Sequence, residues 1–201
     1  TPRTSPRPQS PPRARPSWIR DGGRTGVPSW LLMTATAALK RSWALDLDNK
    51  ELYALLKLRV EIFVVEQECP YPELDGHDLE LETRHLWLEQ DGEVVCTLRL
   101  LEEHDDGKTS FRIGRLCTAK SARGQGHTTR LLRAALAEVG TAPCVISAQS
   151  HLVEMYGKHG FVPDGDEYLE DGIAHTPMRR SGGKAFTVTP AGRPGRVDNY
   201  G

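Results

Sequence analysis

The sequence predicts a mixed α/β (α+β) fold, a single and mostly antiparallel sheet with helices on its faces. Three observations predict it. Along residues 40–180 the apolar spacing changes from alternation to a 3.6-residue period and back. Asp91-Gly92 and Asp105-Asp106-Gly107 are turn signals between alternating stretches. The glycine-rich Arg123-Gly124-Gln125-Gly126 stands between a strand and a helix.

The elements follow in order. Residues 42–47 (SWALDL) alternate and are expected as the first strand. Asp48 followed by Glu51 has the spacing of a capping box, so a helix opens there. Leu52, Leu55, Leu56, Val60 and Phe63 recur at helical spacing and make 49–65 an amphipathic helix, with Arg59 the one polar residue on its apolar side. Residues 66–84 (EQECPYPELDGHDLELETR) hold Pro, Gly and acids and read as a long ordered loop. Residues 85–89, 93–101 and 109–118 are expected as three antiparallel strands. Residues 126–139 form a Leu- and Ala-rich helix that Gly140 is placed to end. Residues 144–149 (CVISAQ) are a short buried strand, and a helix runs from Ser150 to near Gly160. Two last strands, 161–169 and 173–180, flank Asp171-Gly172.

Length and composition bound the function. The chain has 201 residues, room for one domain with tails. Residues 1–32 are dense in Pro and Arg with one acid, Asp21. Such a segment buries too little apolar surface to offset its ordering entropy. The expected organisation is a disordered leader over 1–39, a folded domain over 40–180 and a polar tail over 181–201, with Met33 as a natural start. With 26 Lys+Arg against 27 Asp+Glu the net charge is -1, which excludes a globally basic nucleic-acid binder. No apolar run reaches about 18 residues, so no membrane partner is expected. Cys69, Cys96, Cys117 and Cys144 are far apart and form no CxxC pair. They read as reduced, mostly buried thiols of a cytoplasmic protein. The histidines show no HExxH or short paired spacing, so no metal is expected.

The chemistry lies first in Arg123-Gly124-Gln125-Gly126-His127-Thr128. Glycines between a strand and a helix let backbone approach a phosphate, and the free N–H groups of the first helical turn point at the anion. Arg123 adds a charge-assisted hydrogen bond. A phosphate or pyrophosphate is the ligand these parts fit. A Walker loop is absent, and Thr129 stands where a Rossmann fingerprint has its third glycine. About 30 residues on comes Tyr156-Gly157-Lys158-His159-Gly160-Phe161.

With both stretches in this order, the sequence resembles the GNAT family of acyl-CoA-dependent N-acetyltransferases, and within it the ElaA-like subgroup. Residues 52–78, Arg84-His85, Ile113-Gly114-Arg115, Ala148-Gln149-Ser150-His151-Leu152 and Glu170-Asp171-Gly172-Ile173-Ala174-His175 with Met178 carry the closer likeness, which spans about 43–180. The resemblance implies acetyl-CoA as co-substrate and direct transfer of the acyl group to a primary amine. It implies splayed central strands, with the backbone of Leu116, Cys117 and Thr118 pairing the pantetheine arm. The N–H groups of Arg123, Gly124, Gln125, Gly126, His127 and Thr128 would hold the pyrophosphate. Tyr156 would protonate the leaving thiolate. His127 and Thr128 depart from the small or aliphatic residues usual at these positions, and a Thr brings its Cβ and hydroxyl close to the pyrophosphate path.

An ammonium cannot attack a thioester, so a base is needed. Glu66, at the end of the first helix, is the expected base. On the acceptor side stand Asp75, Asp78, His85, His175 and Arg59. Arg59 needs an anionic partner, which the acidic loop can supply. A homodimer is compatible with the resemblance. Two other function classes fit the same residues: a non-catalytic acyl-CoA-binding module, and acyl transfer with lactone formation as in acyl-homoserine-lactone synthases.

Overall fold

The computed structural model describes residues 36–182. The leader through residue 35, Met33 and the tail from residue 183 lie outside the described residues. Among the described residues eight strands and three α-helices follow one another: β1 (Ala38–Trp43), α1 (Asn49–Arg59), β2 (Arg84–Gln90), β3 (Glu93–Asp105), β4 (Lys108–Thr118), α2 (His127–Val139), β5 (Cys144–Gln149), α3 (Val153–Gly157), β6 (Val162–Pro163), β7 (Tyr168–Glu170) and β8 (Ile173–Arg180). They build one open sheet in the order β1-β2-β3-β4-β5-β8-β6, with β7 also on β8. Every pairing is antiparallel except β4 with β5.

Local chemistry accounts for the boundaries. The Asp48 carboxylate accepts from the N–H groups of Lys50 and Glu51 at 2.7 and 2.8 Å, and Glu51 accepts from the Asp48 N–H at 3.3 Å. The capping box therefore forms as its spacing predicts. Gly140, at φ +61, receives the chain at the end of α2, its N–H donating to Leu136 O at 3.1 Å.

Several elements differ from expectation. The first strand is Ala38–Trp43, and Ala44–Asp46 is a 3-10 turn. Trp43 pairs with Arg84, the first residue of β2, so the ladder ends there. The first helix is α-helical only to Arg59 and continues as a π-helix over Val60–Glu66. Gln67 N–H reaches Ile62 O and Cys69 N–H reaches Val64 O, each five residues back, at 3.2 Å. Its buried face carries Leu55, Leu58 and Ile62, while Leu52, Leu56 and Val60 are half-buried. The helix expected from Ser150 is a 3-10 turn followed by the short α3. The expected strand 161–169 is divided into β6 and β7.

One face of the sheet presents Leu86, Leu88, Leu98, Leu100 and Ile113 to Leu131, Leu132, Ala135 and Val139 of α2. Each fully buried side chain of this size contributes about 1.5–3 kcal/mol. Glu138 of α2 takes ion pairs from Arg41 and Arg84 at 3.1 and 3.3 Å, which fixes the helix across β1 and β2. The helix α1 covers the other face, where Leu58 and Ile62 meet Cys117. All four cysteines are buried and unpaired. Among the described residues no helix is long and apolar enough to cross a membrane, and no group of three His, Cys, Asp or Glu is arranged to hold a metal.

Candidate active site

The site begins where the two parallel strands part. Pairing between β4 and β5 is confined to Phe111 with Cys144 and Arg112 with Val145. Beyond them each strand turns an unpaired edge to the other. On its other side β4 carries a bulge: Thr97 pairs with Cys117 and Arg99 with Gly114, so Arg115 and Leu116 together face Leu98. Arg115 takes a left-handed conformation, φ +54, to make it. A cleft of about 990 Å³ opens at the parting, with Leu116, Cys117 and Thr118 among the residues on one wall and Ile146, Ser147 and Gln149 on the other. An extended ligand can pair with the free edge of β4 as an added strand.

The glycine loop lies at one end of this cleft. Gly124 and Gly126 have φ of +75 and +77, a region L side chains avoid, so the sharp approach to α2 requires glycine. The first turn of α2 leaves N–H groups without intrahelical partners. Arg123 and Thr128 line the cleft, while Gly124, Gln125, Gly126 and His127 form the loop beside it. The His127 ring is 9% exposed and its Nε2 is buried without a partner among the described residues. Its side chain therefore packs inward and does not line the cleft. The Thr128 hydroxyl lies 2.9 Å from that of Thr118, which in turn donates to Cys96 Sγ at 3.2 Å. This pins the Thr128 side chain to the end of β4.

Tyr156 reaches the cleft from α3. It is 5% exposed and packs edge-on against Phe161, 6.1 Å between ring centroids. Burial, and then the nearby Cys96 thiol, push its hydroxyl up to about 12. The phenol therefore keeps its proton at every physiological pH, the state an acid must start from. Cys117 is also raised, first by burial, which makes it a structural thiol rather than a nucleophile.

The acidic loop proves to be an ion-pair network. Arg59, 1% exposed, donates Nε to Glu73 at 2.5 Å and a two-pronged fork to Asp78 at 2.5 and 3.1 Å. Arg99 grips Asp75 with two bonds of 2.6 Å and reaches Asp78 at 3.0 Å. Arg115 approaches Glu73 at 2.8 Å and Asp75 at 3.0 Å, with Tyr71 beneath its guanidinium. The Tyr71 hydroxyl donates to Glu73 at 2.5 Å. His85 Nε2 donates to Asp78 O at 3.0 Å. Three guanidinium groups thus meet three carboxylates and neutralise Glu73, Asp75 and Asp78. Arg59 finds its expected anionic partners in the acidic loop, while the placement of Arg59, Asp78 and His85 on the acceptor side needs correction: all three are buried and none lines the cleft. Asp75 does line the cleft. Burial works to raise its carboxyl, but the Arg99 hydrogen bonds and the Arg99 and Arg115 charges hold it well below the usual range.

The remaining expected residues, Glu66 and His175, both line the cleft. Glu66 lines the cleft and forms an ion pair with Arg123, 2.7 Å to its guanidinium. His175 lines it too, with Glu170 and Asp171. The strap from Glu66 to Cys69 is tied to the opposite wall twice more. Gln67 and Gln149 exchange amide hydrogen bonds at 3.2 and 3.3 Å, and the Cys69 thiol donates to Asp171 O at 3.3 Å. Sequence reasoning gave no role to Arg99, Arg115, Gln67 or Gln149. Arg99 had one signal, a charge in the apolar run Leu98-Arg99-Leu100-Leu101. Arg115 had none, since its placement depends on the bulge.

This architecture agrees with known proteins. Residues 60–181 match the family model described as "Acetyltransferase (GNAT) domain". The chain is 69% identical over 148 residues to a UPF0039 protein of Mycobacterium tuberculosis, covering 73% of this chain and 95% of that one. A crystal structure of an acyl-CoA N-acyltransferase from Pseudomonas aeruginosa superposes with a TM-score of 0.65 at 44% identity, covering 73% of this chain and all of that one. The crystal structure of Escherichia coli ElaA superposes with a TM-score of 0.67 at 34% identity and the same coverages. With the splayed strands, the glycine loop and these matches together, the chain belongs to the GNAT acyltransferase family, close to ElaA.

Proposed function

We propose that this protein transfers an acyl group, acetyl foremost, from acyl-CoA directly to a primary amine. The observation that carries the reading is that Tyr156 lines the cleft between the parted β4 and β5 together with Arg123 and Thr128 of the glycine loop. The pyrophosphate would sit on the first turn of α2 with Arg123, and the pantetheine arm along Leu116–Thr118. The thioester carbonyl would lie at the bulge, where backbone N–H groups released from the ladder can stabilise the oxyanion. Tyr156 would give its proton to the departing thiolate. An amine suits the part of the cleft lined by Glu170 and Asp171, which offer carboxylates to an incoming cation.

The test is calorimetric titration of the full chain with CoA and acetyl-CoA, followed by a thiol-release screen of polyamines, amino-acid esters, aminoglycosides and arylamines. Micromolar binding, weakened by Arg123→Ala, with thiol release in one amine class supports the reading. Binding without release from any amine would instead identify an acyl-CoA-binding module.

A further inference from the structure

We propose that His175 is the general base that takes the proton of the acceptor amine, an assignment that rests on the acyl-transfer reading above. His175 stands in register with Gln149 at the end of β5 and with Tyr168 of β7. Its Nδ1 lies 2.9 Å from the carbonyl oxygen of Ile173. A carbonyl only accepts, so Nδ1 carries the proton and the neutral ring keeps a bare lone pair on Nε2. The Glu170 carboxylate lies 3.9 Å from the same Nδ1. A carboxylate behind the protonated nitrogen orients the ring and stabilises the imidazolium that forms when Nε2 takes a proton. The Tyr168 ring, 6.0 Å away between centroids, packs against the imidazole. The side chain is 13% exposed and lines the same cleft as Tyr156.

Of the other titratable groups on the cleft, His151, Glu170 and Asp171 are exposed, and three carboxylates are held by arginines. Glu66 is paired with Arg123, Asp75 is held by Arg99 and Arg115, and Glu103 is paired with Arg112 at 2.7 Å. His77 bonds Glu80 through Nδ1 at 2.6 Å, but its ring is 51% exposed. His175 combines the required tautomer, a supporting carboxylate and enclosure in the cleft.

The step balances. Nε2 removes one proton from the ammonium, and the freed nitrogen lone pair forms the C–N bond at the thioester carbonyl. Collapse of the adduct breaks the C–S bond, and the sulfur leaves with the electron pair and takes the Tyr156 proton. The second proton lost by the nitrogen restores the Tyr156 phenol. Imidazolium then returns its proton to solvent.

Two measurements on the full chain test the assignment. In long-range proton–nitrogen NMR of 15N-labelled protein, with His175→Asn identifying the signals, the ring should show a protonated Nδ1 and a bare Nε2. In thiol-release assays with acetyl-CoA, His175→Ala and His175→Asn should lower turnover of spermidine or lysine methyl ester by about 10²–10³-fold. Hydroxylamine, already unprotonated near neutrality, should lose less than about fivefold, and the Kd for CoA should not move. An Nε2–H tautomer, full activity in the variants, or equal losses with hydroxylamine would overturn the assignment while leaving acyl transfer intact. Wild-type protein that binds CoA but releases thiol with no amine would overturn both.

Discussion

The Glu66 carboxylate lies 2.7 Å from the Arg123 guanidinium, so one end of the strap over the cleft is fastened to the glycine loop. A bound pyrophosphate would compete with Glu66 for Arg123. Both side chains are partly exposed, at 45% and 32%, and exposed pairs are worth about 0–1 kcal/mol. Glu66→Gln should therefore tighten CoA binding by about 2–5-fold. Calorimetry on the variant decides the point: unchanged or weaker binding means that the ion pair does not oppose the donor.

Tyr156→Phe removes one oxygen from a ring that otherwise stays packed on Phe161. No hydrogen bond contributes to the state of the hydroxyl, whose shift comes from burial and Cys96. Stability should stay within about 0.5 kcal/mol, because no buried partner is orphaned. Turnover should fall by about 10²–10⁴-fold, the usual contribution of a positioned acid. With the hydroxyl raised to about 12, loss of this acid by ionisation should appear in a kcat profile only above about pH 11. A decline with a midpoint near pH 9 would assign the acid to another group.

Elements with a strong local signature were legible in the sequence. The capping box at Asp48, the glycine loop before α2 and the strand turns all rest on short-range chemistry, and each forms as expected. What long-range pairing decides was less legible. SWALDL alternates throughout, yet the strand ends at Trp43 because β2 begins opposite it. The π-helix over Val60–Glu66 keeps its apolar side in contact with the sheet, so periodicity alone does not betray it. Asp75 and Asp78 of the acidic loop were placed on the acceptor side. Their neutralisation depends on Arg99 and Arg115, which come from two strands far away in sequence. Of the three arginines, only Arg59 was given an anionic partner from the sequence, as a charge on an apolar helix face.

Arg59→Ala should be the most damaging single change in that network. It would leave Glu73 and Asp78, at 4% and 5% exposure, without their nearest cation. Removing one partner of a buried pair costs about 3–5 kcal/mol. Arg59→Lys should recover little, because one ammonium cannot reproduce the Nε contact to Glu73 together with the fork to Asp78. Urea unfolding followed by circular dichroism reads both variants. A loss below about 1 kcal/mol for either would mean that the loop is held by packing rather than by charge.

Acid should loosen the same loop in two stages, and the signs can be worked out group by group. Burial lowers His85, so its neutral form is the folded one. Its contribution is complete above the unfolded value of 6.5 and is lost as pH falls below it, when the unfolded ring gains a proton first. Asp75 and Asp78 are lowered too: burial opposes this, and Arg99 for the first and Arg59 for the second overcome it. Their contribution is complete above 3.8 and is lost as pH drops through the folded values. The Tm should therefore decline gently below about pH 6.5 and steeply below about pH 4. Asp75→Asn carries no titrating carboxyl there and leaves Arg99 and Arg115 short of a counter-charge. It should start from a lower Tm at pH 7 and lose less between pH 4 and pH 2. Parallel melting curves for wild type and variant over that lower range would show that acid acts elsewhere in the protein.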